Sequence, residues 1–355
     1  MASNWTTAAA LAHRLRRNHL AEPSRAGPAT VTGEVCAFHA QAPLAAELGL
    51  AVRSARLGRG AFQALVDDGV LVRTYAMRGT AHLLAARDLG LYLAAVRRAT
   101  PVEVVGTGRR LLDAAPEALD GGPLTRAGLA ARLTALTGVT EVDEALTEFT
   151  VLAAHAGVLA FGPPQDGKET FVRVTPDPVD EDAALHEVVR RYVRNYGPVA
   201  PRDLSRWLGV TIPAAHDLLR AQDVVDVLNG SCVLAEDADT RPRPVTGAWL
   251  LPRYDAWVLG SGQREAVVPD EVKPLLRRQV PGRANPGRGE GAAGVQVVLV
   301  DGVVHGTWRG TLTHRTLTVE LDLLTTLAHA HRDALDRAAR RLAAHHGAEL
   351  RLSAG

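Results

Sequence analysis

The sequence predicts an α+β fold: three tandem winged-helix units, followed by a β-rich, barrel-like domain with a long helix. Three observations predict it. One order of elements, helices and then a short hairpin of β-type residues, recurs three times before residue 240. From Arg241 the texture changes to short β-rich runs punctuated by turn signals. Finally, 46% hydrophobic and 22% charged residues describe a globular chain, with no apolar run near the roughly 20 residues a membrane span needs.

The first unit, residues 1–115, reads as helices over "TGEVCAFHA", "PLAAELGLAVR" and "GRGAFQALVDDG". Its hairpin is "VLVRTYAMRGTAHLLA", turning at Met77-Arg78-Gly79. In the second, residues 116–178, Thr125 is placed to cap a helix, "EVDEALTEFTVLAAHAG" supplies the next, and "VLAFGPPQDGKETFVRV" turns at its Pro-Pro-Gln-Asp-Gly centre. The third, residues 179–240, has helices in "EDAALHEVVRRYVRNYG", "APRDLSRWLG" and "TIPAAHDLLRAQD", closed by a hairpin at Asn229-Gly230. Within 241–355, "GAWLLPRYDAWVLG", "GVQVVLVDGVVHGTWRG" and "RTLTVELDLL" read as strands. A final helix carries Leu324, Leu327, Leu335 and Leu342 on one face. The Gly- and Pro-rich stretch at 280–294, with Arg283 and Arg288, reads as a mobile loop. Units of this kind present helix N-termini and hairpin tips to nucleic acid, but they also serve as protein–protein scaffolds.

Composition narrows the chemistry. The two cysteines, Cys36 and Cys232, stand far apart without a CxxC partner, so both read as core residues and neither a disulfide framework nor a zinc site is indicated. A net charge of +1 leaves the question of a nucleic-acid partner to the clustering of arginines. The N-terminus meets charge within a few residues of its short alanine stretch, so no secretory segment is expected and the protein is assigned to the cytoplasm.

Familiar enzyme signatures fail. "GTGRRL" and "GSGQRE" break the dinucleotide fingerprint, there is no Walker loop, and "HEVVR" lacks the second histidine of a metalloprotease. His329 and His331 would splay about 200° apart on a helix, which does not chelate a metal. No cofactor and no metal are expected. That leaves His39-Ala40-Gln41 before Pro43, which by spacing alone reads best as a polar capping turn. Arg78 has two readings, a phosphate contact at the hairpin tip or part of a turn in which Thr80 and His82 tie the hairpin to a helix. Arg53, Arg56 and Arg59 flank the start of the first unit's third helix, where they either meet DNA or form a solvated surface.

Four separated stretches, "HAQAPLAAELGLAVR", "LVRTYAMRGTAHLLAARDL", "LPRYDAWVLG" and "VLVDGVVHGTW", resemble in order the winged-helix DNA glycosylases of the AlkZ/YcaQ type, over nearly the whole chain. The resemblance implies a C-shaped protein gripping duplex DNA in its concave face and excising N7-alkylated purines, including bulky adducts and crosslinks made by genotoxic natural products, in DNA repair or self-resistance. The family's catalytic motif of Gln, an apolar residue, then Gln or Asp falls on His39, Ala40 and Gln41. This chain departs from it in having His at the first position. A His-bearing subgroup is known among such paralogues, so the change is compatible with activity while altering the expected substrate range.

With this resemblance His39 and Gln41 become the candidate catalytic pair, and Arg53, Arg56, Arg59, Arg78, Lys168 and Arg253 the candidate DNA contacts. Tyr254, Asp255 and Trp257 are expected in the β-domain core and its junction. Lysine occurs only at Lys168 and Lys273, so the first 167 residues hold no lysine for a Schiff base, which leaves the N-terminal amine. A monofunctional glycosylase without lyase activity is the expectation, a monomer acting on double-stranded DNA, without a membrane, at the nucleoid of a bacterium. The alternative is a non-catalytic tandem winged-helix protein, either a transcription regulator or a paralogue that shields adducts.

Overall fold

A computed structural model of the chain describes residues 5–58, 60–278 and 294–354. The first helix, α1 (Thr7–Arg17), starts at Thr6, whose hydroxyl accepts from the Ala9 N–H. Next come α2 (Pro28–Glu34), β1 (Phe38–His39), α3 (Pro43–Arg53), α4 (Ala61–Asp67), β2 (Leu71–Tyr75) and β3 (Ala81–Ala85). Pro28 and Pro43 each open a helix, where a missing N–H leaves no bond unmade. The sheet order is β1-β3-β2, all antiparallel.

The expected helix over "TGEVCAFHA" therefore stops early. Cys36 and Ala37 adopt φ of 61° and 77°, a left-handed pair that ends α2 and turns the chain into β1. His39 lies on a strand, not at a helix end.

Helices α5 (Leu89–Ala99) and α6 (Gly106–Leu119) lead to β4 (Leu124–Thr125), α7 (Arg126–Thr137), α8 (Val142–His155), β5 (Leu159–Gln165) and β6 (Lys168–Arg173). As expected, Thr125 caps α7, accepting from the Gly128 N–H at 3.2 Å. The β5–β6 turn uses Asp166 and Gly167 at φ 51° and 72°. Then follow α9 (Glu181–Tyr196), α10 (Pro201–Leu208), α11 (Ile212–Arg220), β7 (Val224–Leu228) and β8 (Ser231–Leu234), with Asn229-Gly230 in the hairpin turn.

The C-terminal part holds β9 (Ala248–Leu251), α12 (Ala256–Gly260), α13 (Arg264–Val267), α14 (Lys273–Arg278), β10 (Val297–Val300), β11 (Val303–Thr313), β12 (Thr316–Leu323), α15 (His329–His346) and β13 (Glu349–Ala354). Two expectations change here. The sheet is open, in the order β13-β12-β11-β10-β9, with β13 parallel to β12, so it has two edges where a barrel has none. "DAWVLG" forms α12 instead of a strand, because the Asp255 carboxylate accepts from the Trp257 N–H at 2.8 Å. Leu324 and Leu327 precede α15, so only Leu335 and Leu342 of the four leucines lie on it. Most of the 280–294 stretch, including Arg283 and Arg288, lies outside the described residues.

Packing does not follow the expected boundaries. Leu93 and Val96 of α5 share one core with Val188, Val189 and Tyr192 of α9, so the first and third repeats are fused. Residue 115 falls inside α6, whose Leu111, Ala115 and Leu119 pack with Leu129, Leu146 and Phe149 of the second. Arg14 of α1, fully buried, donates to the carbonyls of Tyr196, Pro198 and Gly262, which fastens the N-terminus to the third repeat and the C-terminal part.

Candidate active site

β1 is the short strand on which the site is built. Its residues pair Phe38 with Leu83 and His39 with His82, and the ladder continues where the Ala40 N–H donates to the Ala81 carbonyl at 2.8 Å. Successive side chains of a strand point to opposite faces, so Phe38 and His39 project to opposite sides of β1. Gln41 is exposed in the bend before α3, while His39 retains only 7% of its surface. The N-cap of α3 is Ala42, which has no side-chain acceptor, so the capping-turn reading of His39 and Gln41 fails.

The imidazoles of His39 and His82 touch, their centroids 4.3 Å apart and their planes tilted by 45°. His82 Nδ1 lies 2.8 Å from the Thr80 carbonyl, so this nitrogen carries the proton and Nε2 is the lone-pair atom. That Nε2 is buried without a hydrogen-bond partner among the described residues. Burial holds His39 well below the usual imidazole pKa, with His82 and Arg78 pushing the same way. Burial likewise drives His82 down to about 4, against the Thr80 bond. His155 of α8, also lowered by burial, donates from Nε2 to the Ala76 carbonyl at 3.0 Å. Three imidazoles around this hairpin are thus neutral near pH 7.

Arg73 and His155 went unnoticed in the sequence; Arg73 braces the motif, and His155 the end of β2 at Ala76. Arg73 Nε donates to the Ala40 carbonyl at 2.8 Å, its guanidinium lies 3.9 Å from the Phe161 ring centroid, and its Nη1 meets Glu169 at 2.6 Å. A charged residue at a partly buried position of the alternating "LVRTY" was the available signal. Main chain of the His-Ala-Gln motif is thereby clamped to the β5–β6 hairpin of the next repeat.

The basic candidates separate. Arg53 is no DNA contact here: its side chain is wholly buried, donating to both Asp255 carboxylate oxygens at 2.7 and 2.9 Å and to the Gly49 carbonyl. Removing that charge from its partner would cost several kcal/mol, so it fastens α3 to the C-terminal part. Asp255 sits at that junction, as expected. Arg56 is exposed just after α3; Arg59 lies outside the described residues. Arg78 is exposed at the β2–β3 turn with φ 60°, its stem packed on Gly209, where a Cβ would come within 2.9 Å of its Cγ. Lys168 is exposed at the start of β6, and Arg253 is exposed in the turn after β9, 6.0 Å from the Tyr254 ring centroid. No group of three or more metal-type ligands occurs among the described residues, and no helix among them is long and apolar enough to cross a membrane.

The chain is 30% identical over 343 residues, 87% of its own length and 88% of the relative's, to an interstrand DNA cross-link repair glycosylase of Streptomyces sahachiroi. The solved structure of the Streptomyces sahachiroi DNA glycosylase AlkZ superposes with a TM-score of 0.79 at 27% identity, covering 99% of this chain and 100% of that one. The family described as DNA glycosylase AlkZ-like matches residues 32–345. A chain whose motif strand, hairpin and junction all fall within that match belongs to the AlkZ-like DNA glycosylase family.

Proposed function

We propose that the protein is a monofunctional DNA glycosylase that hydrolyses the N-glycosidic bond of N7-alkylguanine in duplex DNA, with bulky natural-product adducts as its preferred lesions. One observation carries this reading: a neutral, nearly buried His39 stands two residues from an exposed Gln41 on a strand held at both ends. Alkylation at N7 makes the guanine cationic. When the glycosidic bond breaks, its electron pair neutralises the leaving base, so no general acid is required. What remains is to position a water and accept its proton while the sugar carries oxocarbenium character. The Gln41 carbonyl orients that water and the unprotonated His39 accepts the proton, a contribution of roughly 10²- to 10⁴-fold.

Arg56, Arg78, Lys168 and Arg253 are proposed phosphate contacts, and the protein is proposed to act as a monomer at the nucleoid of a bacterial cytoplasm. Of the two lysines Lys168 lies near a hairpin tip, and no lysine lies in the repeat that carries His39, which supports hydrolysis without a Schiff base. The cross-link repair named for the Streptomyces relative makes an interstrand cross-link the second substrate to try.

The test is a duplex carrying one bulky N7-guanine adduct, incubated with the protein and treated with hot alkali, with a parallel sample under borohydride. Alkali-dependent strand cleavage without a trapped covalent complex is expected. A trapped complex would contradict the monofunctional assignment. Tight binding with no abasic product would favour the regulator or the shielding paralogue.

A further inference from the structure

Among the described residues, His82 at the hairpin has incomplete bonding. Its Nδ1–H is committed to the Thr80 carbonyl, and its Nε2 lone pair faces inward without a partner. A buried acceptor left unpaired costs about 1–3 kcal/mol, and this one lies at a narrow crevice lined by Cys36, His39, Tyr196, Trp207 and Gly260. Of the neighbours, the Tyr196 hydroxyl donates to the Val35 carbonyl at 3.0 Å, and the Trp207 ring is stacked on Tyr192 with centroids 4.6 Å apart. In contact with the His82 ring lies His39.

We propose that His82 is a positioning residue for the reaction: with a small turn of the His39 ring, its Nε2 accepts the His39 ring N–H, fixing the tautomer that leaves His39's other nitrogen free toward Gln41. The chain then runs from the Thr80 carbonyl through His82 to His39 and the attacking water. When water oxygen bonds to C1′ and the glycosidic pair departs with the base, one water proton moves to the free nitrogen of His39. Its existing N–H stays shared with His82, which spreads the new charge toward the Thr80 carbonyl. The ordering resembles the carboxylate that orients a triad histidine, with a neutral imidazole in its place. Arg78 of the turn and His155 of α8 face the same pair and oppose charge on it, so the relay handles one proton at a time.

This inference rests on the proposed hydrolysis, and its test separates the two. The full-length protein, labelled with ¹⁵N at histidine, is read for ring-nitrogen shifts. His82 is expected protonated at Nδ1 and His39 in one tautomer, which becomes a mixture in His82→Phe. Single-turnover excision is expected to fall roughly 10- to 100-fold in His82→Phe, as for other outer partners of a ligating or catalytic histidine, with DNA affinity unchanged. His82→Gln, whose amide oxygen can still accept, recovers most of the rate. Two results overturn the proposal: a His82 proton on Nε2, or a His39 tautomer indifferent to His82→Phe. Equal rate loss in His82→Phe and His82→Gln also overturns it. A native protein that excises nothing would instead overturn the hydrolysis, while the ring-nitrogen spectra still decide the pairing.

Discussion

Phe38 and His39 are neighbours on one short strand, yet they face regions run on opposite rules. On the Phe38 side, the Arg53 guanidinium lies 5.5 Å from the ring centroid and is paired to Asp255 through both terminal nitrogens. Gly49 completes that side by lacking a Cβ, which would stand 3.2 Å from the Phe38 ring. On the His39 side lie imidazoles kept neutral, and the Nε2 of His82 has no partner among the described residues. A charge can be sunk in a core when its counter-charge is sunk with it, and such a pair holds elements together. A neutral ring with an idle lone pair does little for stability, so its presence points to chemistry.

The widest separation between the two sides comes from His39→Ala and Asp255→Ala. Excision in a single-turnover assay should drop roughly 10²- to 10⁴-fold in His39→Ala, with the urea midpoint little changed. Asp255→Ala should show the inverse, a loss of about 3–5 kcal/mol in chemical denaturation, while the protein that remains folded excises normally. An Asp255→Ala variant as stable as the native chain would erase the distinction.

Acid sharpens it. His82 and His13 are both depressed to about 4 by burial, whereas an unfolded chain takes up these protons near pH 6.5. Folding therefore favours their neutral forms. That stability is fully present above about pH 6.5 and is lost as the pH falls toward 4, by at most about 1.4 kcal/mol per pH unit for each histidine. Urea midpoints at pH 7.5, 5.5 and 4.5 follow the loss, and His82→Phe should flatten part of the slope. A smaller effect belongs to Lys168→Ala, which should reduce the salt dependence of DNA binding by about 0.9 in log–log slope without altering the excision rate of bound DNA.

What the sequence revealed was local. Thr125 as a cap, and Asn229-Gly230 and Asp166-Gly167 as hairpin turns, are decided within four residues, and each stands where the pattern puts it. β1 was hidden because nothing in Cys36-Ala37 announces two left-handed residues; the fold imposes them on side chains that ordinarily avoid that region. Arg53 was misread for another reason, since its partner is 202 positions away and an arginine at a helix end reads as surface until that partner is seen. The open sheet depended on β13, a terminal strand with no turn signal before it beyond Gly347. Within the site, the motif itself was readable by resemblance, whereas Arg73 and His82 acquire meaning only from the carbonyls and rings they touch.

The shared core of α5 and α9 sets a schedule for synthesis. Leu93 and Val96 emerge from the ribosome about a hundred residues before Val188 and Tyr192, which cover them in the finished protein. At roughly 5–20 residues per second, the first repeat waits on the order of ten seconds with that face bare. The strand bearing His39 therefore belongs to a region that cannot be completed in the order in which it is made.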